Sequence, residues 1–214
     1  MAQKTPQERI KNILKILRTT YPDVKTALHH DNPLELLIAT ILSAQCTDER
    51  VNRVTKTLFK KLRTAKDFAE APICDLEEMI RPTGFYRNKA KSLKACCAAL
   101  AGKHGGKVPD NMEALLHLPG IGRKTANVVL GSAFGIAGIV VDTHVKRVAQ
   151  RIGLTTENDP VKIEFDLMAL IPKKDWTDFS HQMIRHGRAL CAARKAKCPE
   201  CPLRKLCDYE RETT

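Results

Sequence analysis

The chain has 214 residues, 43% of them hydrophobic, so it is long enough to bury a core without disulfides and its composition is that of a globular protein. No apolar run approaches the roughly 20 residues needed to span a bilayer, and residues 1–20 lack the apolar stretch of a secretory signal. The formal net charge of +12 favours a polyanionic partner such as nucleic acid, although a solvated basic surface explains the charge equally well. We therefore expect a cytoplasmic protein that binds no membrane.

The predicted elements are helical almost from end to end. Thr5-Pro6-Gln7-Glu8 is a capping box with proline at the first helical position, and Asn32-Pro33-Leu34-Glu35 repeats this start signal before a strongly apolar, buried helix. A third capping box, Asp110-Asn111-Met112-Glu113, opens a short helix. Because no period-2 strand pattern occurs, we predict an all-α fold. The other predicted helices are marked by Val51 to Leu62, by Leu93 to a stop at Gly105-Gly106, and by residues near 123–134, 143–152, 160–171 and 175–190.

A glycine-containing turn joins two helices in the string Leu115-Leu116-His117-Leu118-Pro119-Gly120-Ile121-Gly122-Arg123-Lys124-Thr125-Ala126. Gly120 and Gly122 permit a tight turn and let the backbone approach a ligand closely. The amides of the turn and the N-terminus of the second helix form an anion site suited to a phosphate. Contacts of this kind hold DNA without reading its sequence. Two glycines alone fit an ordinary αα-hairpin as well, so the prediction of a DNA-binding hairpin depends on the whole string.

Lys124 lies in the first turn of the second helix. The helix dipole opposes a positive charge there by about 0.3–1 kcal/mol, and we expect partial burial against the following apolar turn to act in the same direction. Both effects favour a neutral amine, which can attack a sugar carbon and form a Schiff base. The competing interpretation is a solvated surface charge, the usual state of a lysine in a basic protein.

Asp142 ends the apolar run Gly138-Ile139-Val140-Val141 and precedes Thr143-His144-Val145. An aspartate in this place is typical of a helix N-cap. Capping is compatible with a second role, because a carboxylate near a reacting sugar can stabilise positive charge as the glycosidic bond breaks, or help to deprotonate the attacking amine.

The eight cysteines form two groups. Cys46, Cys74, Cys96 and Cys97 are scattered among apolar residues, and we predict that they fill small spaces in the core. The other four have the spacing Cys-x6-Cys-x2-Cys-x5-Cys, which in a cytosolic chain indicates a metal site rather than disulfides. These four are Cys191, Cys198, Cys201 and Cys207.

Four thiolates can surround either a single zinc ion or an iron–sulfur cluster. Zinc sites commonly use two short Cys-x2–4-Cys pairs, and this chain has one, so the spacing favours the cluster. A ferredoxin-like electron carrier is a weaker alternative, because nothing else in the chain indicates a redox partner site. A loop pinned at both ends would present Arg194, Lys195 and Lys197 rigidly to DNA phosphates.

The string Gly122-Arg123-Lys124-Thr125-Ala126-Asn127-Val128-Val129, the string Val141-Asp142-Thr143-His144 and the cysteine spacing together resemble the endonuclease III family of helix–hairpin–helix DNA glycosylases. The resemblance covers essentially the whole chain. It implies that Lys124 and Asp142 are the catalytic pair and that the four cysteines hold a [4Fe-4S] cluster. A cluster charge of about −2 would leave the chain at about +10, still strongly basic.

The resemblance also implies two helical lobes with a DNA-binding cleft between them. One is a six-helix barrel at residues 24–137, with the helix–hairpin–helix at about 112–134. The other is a discontinuous cluster domain that combines residues 1–23 with 138–214. Lys124 and Asp142 would then come from opposite lobes.

A base inside a stack cannot reach a lysine, so the nucleotide must be extruded. The resemblance implies that Gln45 and Phe85 fill the space left behind and that His144 lines the site; at the position of Phe85 the family more commonly has an aliphatic residue. Each residue also has a structural alternative: Gln45 as a polar residue at a helix end, Phe85 as a core aromatic and His144 as a surface group in the first turn of a helix. The predicted DNA contacts are Gln45, Phe85, Gly120, Gly122, Arg123, His144, Arg194, Lys195 and Lys197, and the predicted main-chain ligands of a monovalent cation are Leu116, Leu118 and Ile121.

The implied function is base excision repair by a bacterial-type, nucleoid-associated monomer. It would bind double-stranded DNA with damaged pyrimidines or abasic sites, remove the oxidised pyrimidine and cleave the strand 3′ to the lesion by β-elimination. Adenine-specific mismatch glycosylases share the hairpin, the aspartate and the cysteine loop but lack a lysine at the position of Lys124. A catalytically silent DNA-binding module is the remaining alternative, and the presence of Lys124 together with Asp142 counts against it.

Overall fold

Every regular element of the computed structural model, which describes residues 5–213, is helical. No strand occurs in that range, which confirms the predicted all-α class. Residues 1–4 and 214 of the predicted cluster domain lie outside it. Within the same range, none of the helices combines the length and hydropathy needed to cross a bilayer. The α-helices are α1 Pro6–Thr20, α2 Pro33–Leu42, α3 Asp48–Lys61, α4 Ala65–Glu70, α5 Ile73–Ile80, α6 Tyr86–Lys103, α7 Met112–Leu116, α8 Arg123–Phe134, α9 Thr143–Arg151, α10 Pro160–Leu170, α11 Trp176–Ala189 and α12 Asp208–Thr213.

The chain divides into two compact units. Thr26–Ile136, here the hairpin unit, contains α2 to α8. Met1–Lys25 and Ala137–Thr214 together form the discontinuous unit, which contains α1 and α9 to α12. The lobe boundaries at residues 24 and 137, implied by the family resemblance, stay a prediction.

The core of the hairpin unit is built on α2. All seven residues from 36 to 42 are buried, as predicted for this helix, and Asn32 caps it by accepting a hydrogen bond from the Glu35 amide at 3.0 Å. α2 packs against α8, and α4 packs against α6. Phe68 of α4 and Leu93 of α6 are fully buried there, and the burial of these large apolar side chains stabilises the packing of the short helix α4 on the long helix α6.

Two short helices of the hairpin unit, α4 and α5, were not predicted. α4 begins at a capping box in which the Thr64 hydroxyl accepts from the Asp67 amide at 3.1 Å and the Asp67 carboxylate accepts from the Thr64 amide at 2.8 Å. This pair was a readable start signal. The capping box predicted at Asp110 is wrong, because Asn111 is the N-cap of α7 and accepts from the Ala114 amide at 2.9 Å.

The scattered cysteines are only partly core fillers. Cys96 and Cys97 are fully buried, as predicted, and burial raises their thiol pKa values to about 11 and about 12. Cys46 is half-buried. Cys74 is exposed on α5, so the prediction for that residue is wrong: the buried stripe of α5 is formed by Leu76 and Ile80 instead.

The core of the discontinuous unit joins its two sequence segments. The predicted capping box of α1 is confirmed, with Glu8 bound to the Thr5 amide at 3.0 Å. Ile13 and Leu17 on the apolar face of α1 are fully buried, and α1 packs against α11, where Phe179 and Met183 are also fully buried. Burial of this stripe attaches the N-terminal helix to the C-terminal part of the chain.

The run that precedes Asp142 is anchored in the same core. Ile139, Val140 and Val141 are buried, and the Val140 amide donates to the Ser180 hydroxyl of α11 at 2.9 Å. Ser180 in turn donates to the Trp176 carbonyl at 2.9 Å. These contacts fix the chain direction immediately before α9.

Candidate functional site

The predicted hairpin is a turn between α7 and α8 that is held by two buried apolar residues. Leu118 and Ile121 point into the core, and the Ile121 amide donates to the Leu118 carbonyl at 3.2 Å. Gly120, between them, has φ +77°, and an added Cβ would lie 3.3 Å from the Ser92 Cβ on α6. The turn therefore needs glycine at this position both for its backbone conformation and for close packing.

Gly122 has a different role from Gly120. Its φ is −101°, which any residue adopts, and nothing lies within 4 Å of an added Cβ. It is the N-cap of α8 and offers no side chain to the first helical amides. The N-cap residue of α8 thus supplies no side-chain hydrogen bond to the first helical amides, which suits an anion site.

Lys124 is exposed in the first turn of α8. The expectation that it is partly buried is wrong, because the buried residues of this turn are Ala126 and Asn127, on another face of the helix. Arg123 beside it is half-buried. The side chain of Lys124 is therefore accessible to a ligand as large as DNA.

Gln45 and Phe85, which are 40 residues apart in sequence, line one pocket of about 320 Å³ with Gly120 and Thr125. Among the described residues they are the only non-glycine positions with positive φ, at 52° and 47°. Phe85 is 64% exposed, so it is not the core aromatic that was its alternative interpretation. Left-handed backbone at two non-glycine residues is costly and is typical of functional sites.

Lys89, which the sequence analysis missed, is buried at the same pocket. Its Nζ donates to the carbonyl oxygens of Leu42 and Thr83, each at 2.8 Å. Burial lowers its pKa, with a smaller opposing effect of Cys46. The sequence did contain a sign of this burial, because Lys89 lies four residues before Leu93 and eight before Cys97 and therefore on the same, buried face of the helix.

A larger surface groove of the hairpin unit, about 910 Å³, lies beside α3 and is lined by His29, Lys56 and Arg63 among others. None of the predicted site residues lines it. Size alone therefore does not mark the site in this unit.

Asp142 is the N-cap of α9, as its sequence position indicated. Its Oδ1 accepts hydrogen bonds from the amides of His144 and Val145, both at 2.8 Å. The side chain is half-buried. The cap uses one carboxylate oxygen and holds the group rigidly at the start of the helix.

His144 is wedged between α9 and α11 rather than free on the surface. An added Cβ on Gly187 would lie 2.9 Å from the Cβ of His144. Arg147 Nη2 lies 3.1 Å from His144 Nδ1, and because arginine offers only donors, a hydrogen bond between the two makes Nδ1 the acceptor. Burial lowers the pKa of His144, Asp142 raises it, and the nearby arginines lower it again.

The four clustered cysteines line one pocket of the discontinuous unit, together with Arg151, His186 and Tyr209. All four are free thiols. Arg151 Nη1 donates to the Sγ of Cys191 at 3.3 Å, and the Sγ of Cys207 donates to the Arg151 carbonyl at 3.3 Å. The structure thus brings together the four predicted ligands.

The thiols are close enough to affect one another. The pKa of Cys201 is raised to about 11, chiefly by burial and then by the charges of the other three cysteines, against a lowering hydrogen bond from the Leu203 backbone. The pKa of Cys198 is raised by burial, by Glu210 and by Cys191 and Cys207. Mutual repulsion of this kind is relieved by a cationic metal centre, which also binds the thiolate form.

No group of three or more His, Cys, Asp or Glu side chains within residues 5–213 is arranged to hold one metal ion. The basic side chains of this loop, Arg194, Lys195 and Lys197, are all exposed.

Comparison with known proteins assigns the chain to a family. Residues 38–173 match the HhH-GPD superfamily of base excision DNA repair proteins. The chain is 54% identical over 208 residues to Endonuclease III of Synechocystis sp. (strain ATCC 27184 / PCC 6803 / Kazusa), covering 97% of this chain and 94% of that one. It is 44% identical to Endonuclease III of Bacillus subtilis (strain 168), covering 94% and 92%. The chain belongs to the endonuclease III family.

A solved structure of a trapped endonuclease III–DNA covalent intermediate is similar to this chain with a TM-score of 0.93 and 45% identity, over 100% of this chain and 99% of that one. The predicted family and all-α fold are confirmed by these matches, and the chain is a base excision repair enzyme, a DNA glycosylase and lyase of the endonuclease III family. The roles of individual residues are not decided by similarity and are proposed below.

Proposed function

We propose that this endonuclease III family member removes oxidised pyrimidines of the thymine glycol type from double-stranded DNA and then cleaves the abasic strand. The observation that carries the proposal is the exposed Lys124 in the first turn of α8, directly after an uncapped hairpin. A similar solved structure is a covalent endonuclease III–DNA intermediate, which requires a nucleophile on the enzyme.

In the first stage, the side-chain nitrogen of Lys124 attacks C1′ of the extruded deoxyribose. The glycosidic bond breaks, its electron pair leaves with the base, and the base takes up a proton. The sugar ring then opens as the amine forms an imine at C1′. Asp142 acts as the carboxylate that stabilises positive charge on the sugar and accepts the proton of the attacking amine.

In the second stage, the imine acidifies the C2′ proton. Loss of that proton and expulsion of the 3′ phosphate break the strand on the 3′ side of the lesion. Water then hydrolyses the imine and frees Lys124 with an unsaturated aldehyde on the sugar. No oxidant or reductant is needed, because both stages exchange only protons and electron pairs.

DNA is held by contacts that carry no sequence information. The amides at Gly120 and Gly122 bind a backbone phosphate, and the carbonyls of Leu116, Leu118 and Ile121 bind a monovalent cation that bridges to it. Gln45 and Phe85 fill the space left by the extruded nucleotide, and both border one pocket beside the hairpin. The further contacts are Arg123, His144, Arg194, Lys195 and Lys197.

We propose that Cys191, Cys198, Cys201 and Cys207 hold a [4Fe-4S] cluster. Support comes from four free thiols around one pocket, with Arg151 donating a hydrogen bond to Cys191. The cluster supplies structural support: it fixes the loop so that its exposed cations meet phosphates at a lower entropic cost. We further propose that the protein acts as a monomer, in the cytoplasm and at the nucleoid, with its charge of +12 as the attraction.

The test of the lysine is borohydride trapping. Lys124→Gln should bind both a thymine glycol duplex and an abasic duplex, but it should release no base from the first and form no borohydride-stable adduct with the second, because glutamine cannot form an imine. Lys66→Gln is the matched control: Lys66 is exposed in the same unit, with a 3.8 Å ion pair to Glu70, and its loss should leave trapping unchanged. An adduct with the Lys124→Gln variant would contradict the assignment.

The substrate class is tested by comparing release of thymine glycol with release of adenine opposite 8-oxoguanine. Excision of thymine glycol with strand cleavage supports the proposal. Preferential release of adenine without cleavage would favour the mismatch glycosylase, and binding without either reaction would favour a silent DNA-binding module.

A further inference from the structure

The buried lysine of α6 connects two segments that are distant in sequence. Lys89 is 5% exposed, and its Nζ donates to the carbonyl of Leu42, 47 residues away, and to that of Thr83, six residues away. A buried charge is costly unless it is fully hydrogen-bonded, and an apolar side chain of similar size would fill the space without that cost. The two hydrogen bonds from Nζ are therefore the feature that distinguishes lysine from an apolar residue here.

Both accepted carbonyls lie just before a strained residue. Leu42 ends α2 and stands three residues before Gln45, and Thr83 ends a 3-10 turn and stands two residues before Phe85. Gln45 and Phe85 are the non-glycine residues with positive φ in the described chain. The ammonium group of Lys89 thus restrains the backbone just before Gln45 and just before Phe85.

We propose that Lys89 is a positioning residue that sets Gln45 and Phe85 at a fixed distance from each other, so that they enter the duplex as one rigid unit. The inference rests on the proposed function in giving these two side chains the role of replacing the extruded nucleotide. In this role Lys89 holds the pair Gln45 and Phe85, here called the wedge, and does not contact the sugar.

The same helix provides a matched control. Lys94 also donates from its Nζ to two main-chain carbonyls, those of Ala69 and Ala71, at the end of α4. It is half-buried, and it does not line the pocket of Gln45 and Phe85. Replacing Lys94 removes a comparable pair of bonds from the same unit without touching the wedge segments.

The experiment compares Lys89→Met and Lys94→Met with the wild type on two DNA molecules. The first is a thymine glycol duplex, whose lesion must be extruded. The second is a single-stranded abasic oligonucleotide trapped with borohydride, where no base has to leave a stack. We expect Lys89→Met to lose roughly tenfold to 100-fold of duplex excision, since misplacement by about 1 Å has effects of that size. Trapping on the single strand should stay within about twofold of wild type.

For Lys94→Met, both activities should stay within about twofold of wild type. A 2-aminopurine placed beside the lesion gives a direct signal of extrusion, and its fluorescence rise should be slower with Lys89→Met alone. Lys89→Gln, which keeps a donor for one carbonyl, replaces the methionine variant if that one does not fold, and circular dichroism decides this.

Equal duplex losses in the Lys89 and Lys94 variants would overturn the inference, since they would mean general destabilisation. A parallel loss on both DNA molecules by Lys89→Met would overturn it too, because the defect would then lie in the chemistry. A wild type that forms no borohydride adduct even with an abasic duplex would instead contradict the proposed function.

Discussion

The hairpin at residues 112–134 and the cysteine loop at residues 191–207 both carry exposed cations that we propose as DNA contacts, but the two segments obtain their shapes differently. The hairpin is held by buried Leu118 and Ile121 and by a glycine that its turn requires. In the loop, the regular structure is limited to the three-residue turns Cys198–Glu200 and Arg204–Leu206, around four cysteines that line one pocket. We therefore expect the hairpin to be stable by itself and the loop to depend on the cluster that we propose.

The largest expected effect comes from removing one cluster ligand. Cys198→Ser should lose the visible iron–sulfur absorbance and weaken DNA binding by at least about tenfold, because three exposed cations lose their fixed positions. Fluorescence of Trp176, the only tryptophan, should report loosening of the discontinuous unit. Cys74→Ser, at an exposed cysteine in the hairpin unit, is the control and should change none of these.

Iron and sulfide analysis makes this comparison decisive. The wild type should contain about four of each per chain. Zinc in place of iron, or unchanged DNA affinity in Cys198→Ser, would mean that the loop does not depend on an iron–sulfur cluster.

A smaller effect is expected for Arg151, which connects α9 to the loop. Its Nη1 donates to Cys191 and to the Ala192 carbonyl at 2.8 Å, and its Nη2 donates to the Ala193 carbonyl at 2.9 Å. Arg151→Met should destabilise the loop by about 1–3 kcal/mol and shorten the half-life of the visible absorbance in a chelator. Arg53→Met, in the hairpin unit, serves as the control, and equal half-lives for the two variants would contradict this role.

The hairpin and the cysteine spacing were predictable because each is a local signal. The burial of Lys124 was predicted wrongly although its exposure was also readable: the buried Ala126, Asn127 and Leu130 define the inner face of α8, and position 124 is on another side. Helices α4 and α5 were missed because they are too short for their apolar period to stand out.

Lys89 shows the limit of sequence interpretation. Its place on the buried stripe of α6 was visible, but the carbonyl of Leu42 that accepts from it is 47 residues away and is brought near by packing alone. The shared pocket of Gln45 and Phe85 depends on the same long-range packing. Local patterns identify candidate residues, whereas their grouping requires the fold.

The two glycines of the hairpin should differ in a measurable way. Gly120→Ala places a Cβ at φ +77° and 3.3 Å from Ser92, and should cost about 1–2 kcal/mol in free energy of unfolding. Gly122→Ala adds a Cβ at φ −101° with open space around it, and should cost less, about 0.5 kcal/mol, because the only loss is that of a better N-cap residue. Urea unfolding followed by circular dichroism tests this, and equal losses would show that the turn does not depend on its left-handed residue.

The smallest effect concerns acid, and it belongs to the discontinuous unit. Burial lowers the pKa of His181 on α11 below 6.5, with Asp178 opposing and Arg185 assisting. The unfolded chain therefore binds a proton near pH 6.5 that the folded chain does not yet bind, so stability falls as the pH drops through that value. Trp176 lies on the same helix and reports this unfolding. His181→Gln should make the decline between pH 7.5 and pH 5.5 shallower than in the wild type, by an amount on the order of the one-proton linkage. If the variant kept the wild-type slope, the acid sensitivity of the discontinuous unit would have to come from groups other than this half-buried ring, such as the fully buried His186, whose pKa burial lowers to about 4.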